Sequence, residues 1–196
     1  MAACLELENL TVRYGTGSPV LNGCSLRIDA GEVVGLVGPS GCGKSTLMLA
    51  ILGQLPAGAR LDGTIRRPGR IGAIFQEPSS ALNPVLKIGR QIMEIVPSKE
   101  RALAALAEAD LPAERIFNAY PHELSGGQQQ RVLFVQATIR EPELIVADEP
   151  ASALDPDTKA VIMRLFAARK GKPAILFITH EEELLEGFAD RVVRLR

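Results

Sequence analysis

Eight residues, Gly38-Pro39-Ser40-Gly41-Cys42-Gly43-Lys44-Ser45, follow the spacing G-x-x-x-x-G-K-S. Glycines in so short a loop let successive backbone N–H groups turn inward. A lysine and a hydroxyl then open an apolar, helix-like stretch, Thr46–Leu55. Concentrated negative charge is the natural ligand of such a loop, because inward N–H groups and the positive end of a helix both attract it. A phosphate chain fits. In this pattern Lys44 reaches the β- and γ-phosphates and Ser45 ligates Mg2+. A second group of chemistry-bearing residues is Asp148-Glu149, at the end of an apolar run. A carboxylate there can hold the metal through water, and Glu149 beside it can accept a proton from an attacking water. A third is Ser125-Gly126-Gly127-Gln128, a capped helix start whose free N–H groups can also take an anion. On its own this last segment equally fits an ordinary N-cap with a flexible lead-in.

These groups need elements to hold them. The runs Leu5–Arg13 and Val20–Ile28 alternate apolar and polar residues, which predicts half-buried strands near a sheet edge. Val33–Val37, Ile71–Phe75, Leu144–Ala147 and Ala174–Thr179 are short, continuously apolar runs, which predicts strands buried on both faces. Pro56–Arg70 reads as loop with a short strand. Helical patterning covers Asn83 to about Leu111, Ser125–Ile139 and Thr158–Arg169. Strands alternating with helices predict an α/β fold with a mainly parallel sheet. The phosphate loop then lies at a strand-to-helix junction, as its chemistry requires.

Composition narrows the function classes. The chain has 196 residues, 46% hydrophobic and 23% charged, which excludes a disordered polymer and suits one domain. Aromatics make up 4% and Trp is absent, which argues against a stacking platform for single strands. The 22 Lys+Arg against 23 Asp+Glu leave a net charge of −1, so no basic footprint for nucleic acid is present. Three cysteines (Cys4, Cys24, Cys42) have no metal-ligand spacing, and their odd number argues against a disulfide framework. The apolar runs are too short to span a bilayer, and the first residues lack the pattern of a secretory leader. The expectation is a soluble protein of a reducing compartment.

Taken in order, Tyr14, Gly38–Ser45, Gln76, Leu124–Gln128, Leu144–Glu149, Ser152-Ala153-Leu154-Asp155 and His180 resemble the motif series of the ATP-binding cassette (ABC) ATPases. The resemblance covers nearly the whole chain. It implies a P-loop α/β fold with a RecA-like core (about 1–80 and 125–196), a small antiparallel side sheet and a helical subdomain (about 81–124). It implies ATP and Mg2+ as ligands. Gly38, Pro39, Ser40, Gly41, Cys42, Gly43, Lys44, Ser45 and Thr46 would bind nucleotide. Tyr14 would stack on adenine, although a tyrosine ending a strand is often a core or edge residue. Ser45, Gln76 and Asp148 would hold the metal, and Glu149, His180 and Gln76 would serve catalysis. Ser125, Gly126, Gly127 and Gln128 would act in trans on the nucleotide of a second subunit. Ser152, Ala153, Leu154 and Asp155 would line the contact between the two cassettes.

Longer strings narrow the group. Phe75-Gln76-Glu77-Pro78-Ser79-Ser80-Ala81-Leu82-Asn83-Pro84 and Tyr120-Pro121-His122-Glu123-Leu124-Ser125 are similar to the peptide/nickel importer cassettes. That resemblance implies a second ABC subunit (a homo- or heterodimer), transmembrane permease subunits and, indirectly, an extracytoplasmic solute-binding protein. It implies a place on the cytoplasmic face of the inner membrane. A docking patch for the permease is expected around Ala81, Leu82 and Pro84-Val85-Leu86. Members of that group usually continue past the position of Arg196, and Ala151 stands where they often have Thr. The stretch from Thr64 to Phe75 is shorter than usual, which predicts a reduced side sheet. A non-transport ABC ATPase, such as a component of a multi-subunit lyase, is the alternative.

Overall fold

The computed structural model describes residues 3–152 and 154–195. Two sheets organise them. The first has three antiparallel strands, β1 (Ala3–Tyr14), β2 (Leu21–Asp29) and β4 (Ala59–Arg66), in the order β2-β1-β4. The second has five parallel strands, β3 (Val33–Val37), β5 (Ile71–Ile74), β6 (Leu144–Asp148), β7 (Ala174–Ile178) and β8 (Arg191–Arg194), in the order β5-β6-β7-β3-β8. The helices are α1 (Lys44–Leu52), α2 (Pro78–Ala81), α3 (Ile88–Ile95), α4 (Lys99–Glu108), α5 (Ala113–Asn118), α6 (Gly126–Thr138) and α7 (Pro156–Ala167).

The continuous apolar strands divide their side chains between two cores, as a period of two requires. Val34, Leu36, Val146 and Leu176 pack with α1 and the three-stranded sheet. Val33, Val37, Ile145, Ala147, Ile175 and Phe177 pack with the helices that follow α2. In that second core Phe166 meets Phe134, Phe177 and Phe188 edge-on, with ring centroids 5.1–6.3 Å apart. Such edge-to-face contacts are the favoured geometry for aromatic quadrupoles. They fasten α6 and α7 to the parallel sheet.

Several expectations change in the structure. β1 is the middle strand of its sheet rather than an edge, because β4 pairs along its other side. Residues 59–66, expected as loop with a short strand, extend into an eight-residue strand that is largely exposed. The helical stretch from Asn83 to about Leu111 is interrupted. Pro84 and Pro97 cannot donate backbone hydrogen bonds, and helices α3 and α4 form on either side of Pro97. The short strand β8, which periodicity did not reveal, pairs in parallel with β3.

Candidate functional site

In a parallel sheet all strands end on one edge, and loops leaving that edge meet. The phosphate loop leaves β3, Gln76 follows β5, Asp148 ends β6 and Glu149 follows it, and Thr179-His180 follow β7. A cleft of about 350 Å³ lies there, lined by Val20, Ser40, Gly41, Gly43, Lys44, Ser45, Thr46, Gln76, Asp148, Glu149 and His180. Residues spread over 160 positions of sequence thus share one surface. The helix α1 starts on Gly43, which has φ of 98° and no side-chain cap. A left-handed backbone there suits glycine, and without a capping side chain the first N–H groups of α1 stay open toward the loop.

The charges are arranged around that opening. Lys44 Nζ donates to the carbonyls of Gly38 (2.8 Å) and Pro39 (3.0 Å), curling over its own loop. Ser45 Oγ donates to Asp148 Oδ2 at 2.6 Å. Burial pushes the Asp148 carboxyl above the usual range, with Glu149 nearby adding to the effect. A buried carboxylate beside a hydroxyl is a hard-oxygen donor pair of the kind Mg2+ prefers, and a cation there would offset the burial. The residues fit the metal.

Glu149 is buried and held from two sides. Thr179 Oγ1 donates to its Oε2 (3.2 Å), and His180 Nδ1 lies 2.8 Å from its Oε1. Its backbone adopts φ of 49°, a left-handed conformation that costs a non-glycine residue about 1–3 kcal/mol. The backbone N–H still reaches Ile178 O at 2.9 Å, so the turn is anchored to β7. Departure from the strand at this residue sets Glu149 beside His180, which is exposed.

Other expected residues sit differently. Tyr14 ends β1 and its hydroxyl reaches Thr46 Oγ1 at 3.3 Å, beside the cleft rather than in its lining. Cys42 is half-buried, against Gly38. Ser125 caps α6 in a reciprocal box: its Oγ accepts from Gln128 N (3.3 Å), and Gln128 Oε1 accepts from Ser125 N (3.1 Å). This segment is not among the cleft-lining residues. Ser152 Oγ donates to Glu149 O, and Asp155 caps α7 by accepting from Thr158. Leu154 is half-buried against the helical core. Ala153 lies outside the described residues. Of the patch expected at 81–86, Leu82 is buried in the core, whereas Ala81, Pro84 and Val85 are exposed. Val20, just before β2, was not singled out from the sequence. Its neighbourhood, a Gly- and Ser-containing turn ending in an apolar residue, was the available signal.

Comparison with known proteins fits this geometry. The family model described as "ABC transporter" matches residues 21–152. Among curated relatives, the "Oligopeptide transport ATP-binding protein OppD" of Mycobacterium bovis is 35% identical over 98% of this chain and 37% of its own length. "AppD" of Bacillus subtilis, with the same description, is 36% identical over 98% of this chain and 69% of its own. The "Probable D,D-dipeptide transport ATP-binding protein DdpD" of Escherichia coli is 37% identical over 88% and 62%. The chain therefore spans from about a third to about two thirds of these relatives. A solved structure, described as a dimeric post-hydrolysis state of the ATP-binding cassette MJ0796 bound to ADP and Pi, superimposes with a TM-score of 0.82. It is 32% identical and covers 98% of this chain and 94% of that one. The chain belongs to the ABC transporter family, and its fold is that of an ABC ATPase cassette.

Proposed function

We propose that this chain is the ATP-binding and ATP-hydrolysing subunit of a membrane importer. One observation carries the reading: Lys44, Ser45, Gln76, Asp148, Glu149 and His180 share one cleft at the C-terminal edge of the parallel sheet. The phosphates of ATP would lie against the open start of α1, drawing Lys44 away from the carbonyls it now caps. Ser45, Asp148 and Gln76 would hold Mg2+, which when bound neutralises charge on the phosphates. Glu149, oriented by Thr179 and His180, would accept the proton of the attacking water. Tyr14 would meet the adenine from the end of β1.

The cleft is open to solvent, which supports a site completed by a second subunit. Ser125, Gly126, Gly127 and Gln128, exposed or half-exposed at the start of α6, would close the partner's nucleotide, and Ser152–Asp155 would line the contact. The family neighbour's dimeric state supports the same arrangement. We treat about 81–124, which carries helices and no strand, as a helical subdomain between two parts of the core. Its exposed Ala81, Pro84 and Val85 would meet a permease subunit. No helix of the described residues is long and apolar enough to cross a membrane, so the pore would come from that partner. The chain would then work at the cytoplasmic membrane face, with a solute-binding protein outside. The relatives' descriptions as oligopeptide and dipeptide transport proteins support a peptide cargo over a nickel chelate, and an importer over a lyase component.

The experiment that tests this is Glu149→Gln. The amide cannot accept the water's proton, so hydrolysis should fall about 10²–10⁴-fold while ATP still binds. Retained ATP should also hold two cassettes together in size-exclusion chromatography. Normal turnover by the variant would remove Glu149 from the role of base.

A further inference from the structure

One ion pair joins the proposed dimer contact to the catalytic carboxylate. Lys159, one turn into α7, places its Nζ 2.8 Å from Glu181 Oε1 and 2.5 Å from Oε2. Both side chains are shielded, with 24% and 30% of their surfaces exposed. On one side of the pair, the Lys159 N–H bonds to Asp155 O at 2.9 Å, and Asp155 caps the same helix through Thr158. On the other side, the Glu181 N–H donates to Thr179 Oγ1 (3.0 Å), which donates to Glu149 Oε2. His180, between them, touches the second oxygen of Glu149. Every link is a hydrogen bond at a named atom.

We infer that Lys159 and Glu181 are positioning residues, which couple the placement of Asp155, at the head of α7, to the orientation of Glu149 and His180. The inference rests on the functional reading above and adds a device to it. α7 begins at the proposed dimer contact, and a β-carbon on Gly127 of α6 would lie 2.5 Å from Thr158, so α6 and α7 touch beside Lys159. A shift of α7 as two cassettes close is therefore felt at Lys159. The two-point contact carries the shift to Glu181, and from there it reaches Thr179 and His180. Neither residue faces the cleft, so their part is to orient and not to react.

An ion pair kept for stability alone would alter melting and leave turnover untouched. The test compares the purified chain with Lys159→Met, Glu181→Gln, the double variant and Lys159→Arg. Fluorescent ATP binding, steady-state kcat and KM for ATP, and thermal melting are measured on each. We expect each single variant to bind ATP normally and to lose about tenfold in kcat with KM unchanged. The double variant should be no worse than either single one, and Lys159→Arg, which restores a cation, should recover most of the rate. Unchanged kcat in both single variants beside an active wild type overturns the inference alone. So does a loss in the double equal to the product of the two. A wild-type chain that neither binds nor hydrolyses ATP overturns the functional reading, and this inference with it.

Discussion

Two helix starts in this molecule are proposed to meet phosphate, and they are finished in opposite ways. Helix α1 opens on Gly43, with no capping side chain and with Lys44 bent back onto the loop's own carbonyls. Helix α6 opens on Ser125, whose side chain and backbone are both engaged with Gln128. The first start is incomplete by itself, and a ligand within the same cleft would complete it. The second is self-sufficient in its side chains, so it can stand at the surface of a lone cassette. By helix geometry the Gly126 and Gly127 N–H groups still lack intrahelical acceptors. An open end suits capture in cis, and a capped, exposed end suits presentation to another molecule.

The strongest way to break that contrast is to disable each start in turn. Ser125→Arg should leave ATP binding intact and remove nearly all hydrolysis, because a bulky cation replaces the surface offered to the partner. Lys44→Ala should weaken ATP binding itself, about 10–100-fold, since a charged hydrogen-bond donor to phosphate is lost. Mixing the two impaired proteins would pair one intact α1 start with one intact α6 start in a single composite site. The mixture should regain part of the ATPase rate, measured by phosphate release. Full activity of Ser125→Arg by itself would show that α6 does not act in trans.

Much of the first start was legible in sequence, because its chemistry is local. Eight consecutive residues define the loop, and the glycine-bounded apolar runs around it name the strand and the helix. Asp148-Glu149 was legible for the same reason, as two carboxylates closing an apolar run. What periodicity could not supply was long-range pairing. β1 alternates like an edge strand, and nothing within its twelve residues tells that β4, more than forty residues on, will cover its other side. The breaks around Pro84 and Pro97 were foreseeable from proline chemistry, yet Ala and Leu spacing on either side outweighed them. The Lys159–Glu181 pair spans 22 residues and two elements, so no local pattern joins them. The positive φ of Glu149 is invisible to residue type altogether, since glutamate has no preference for that conformation.

A smaller effect sharpens the picture of the open cleft. Asp148 is a buried carboxyl whose folded-state pKa lies above its ordinary value of 3.8, chiefly through burial. The folded chain therefore holds this proton more tightly than the unfolded one. Its contribution to stability is greatest at low pH and is lost as pH rises from about the ordinary carboxylate value through the raised one. Asp148→Asn removes that titration. Urea melts of the two proteins across this range should converge at acid pH and separate above it, with the variant the more stable of the pair. Parallel curves would mean that the carboxyl is not held in an unfavourable environment. Mg2+ with ATP should narrow the gap by stabilising the wild type, as an ion that offsets the buried charge must.

The smallest expected effect tests how complete α6 is beyond its first turn. Gln130 is buried, and its side-chain nitrogen has no hydrogen-bond partner among the described residues. Helical spacing puts it near the face that carries Gly127 and Phe134, which meet Thr158 and Phe166 of α7. A buried amide donor without an acceptor costs about 1–3 kcal/mol in lost hydration, whereas an apolar side chain of similar length carries no such penalty. Gln130→Met should therefore raise the unfolding free energy of the nucleotide-free chain by about 1 kcal/mol, read from the urea midpoint at constant slope. Gln130→Glu, which adds a charge in the same place, should lower it. If Met destabilises instead, the amide is paired in solution and α6 is satisfied along its length. If Met stabilises as expected, α6 is closed at its capped start and open one turn later, the reverse of α1, whose start is open and whose body is packed apolar core.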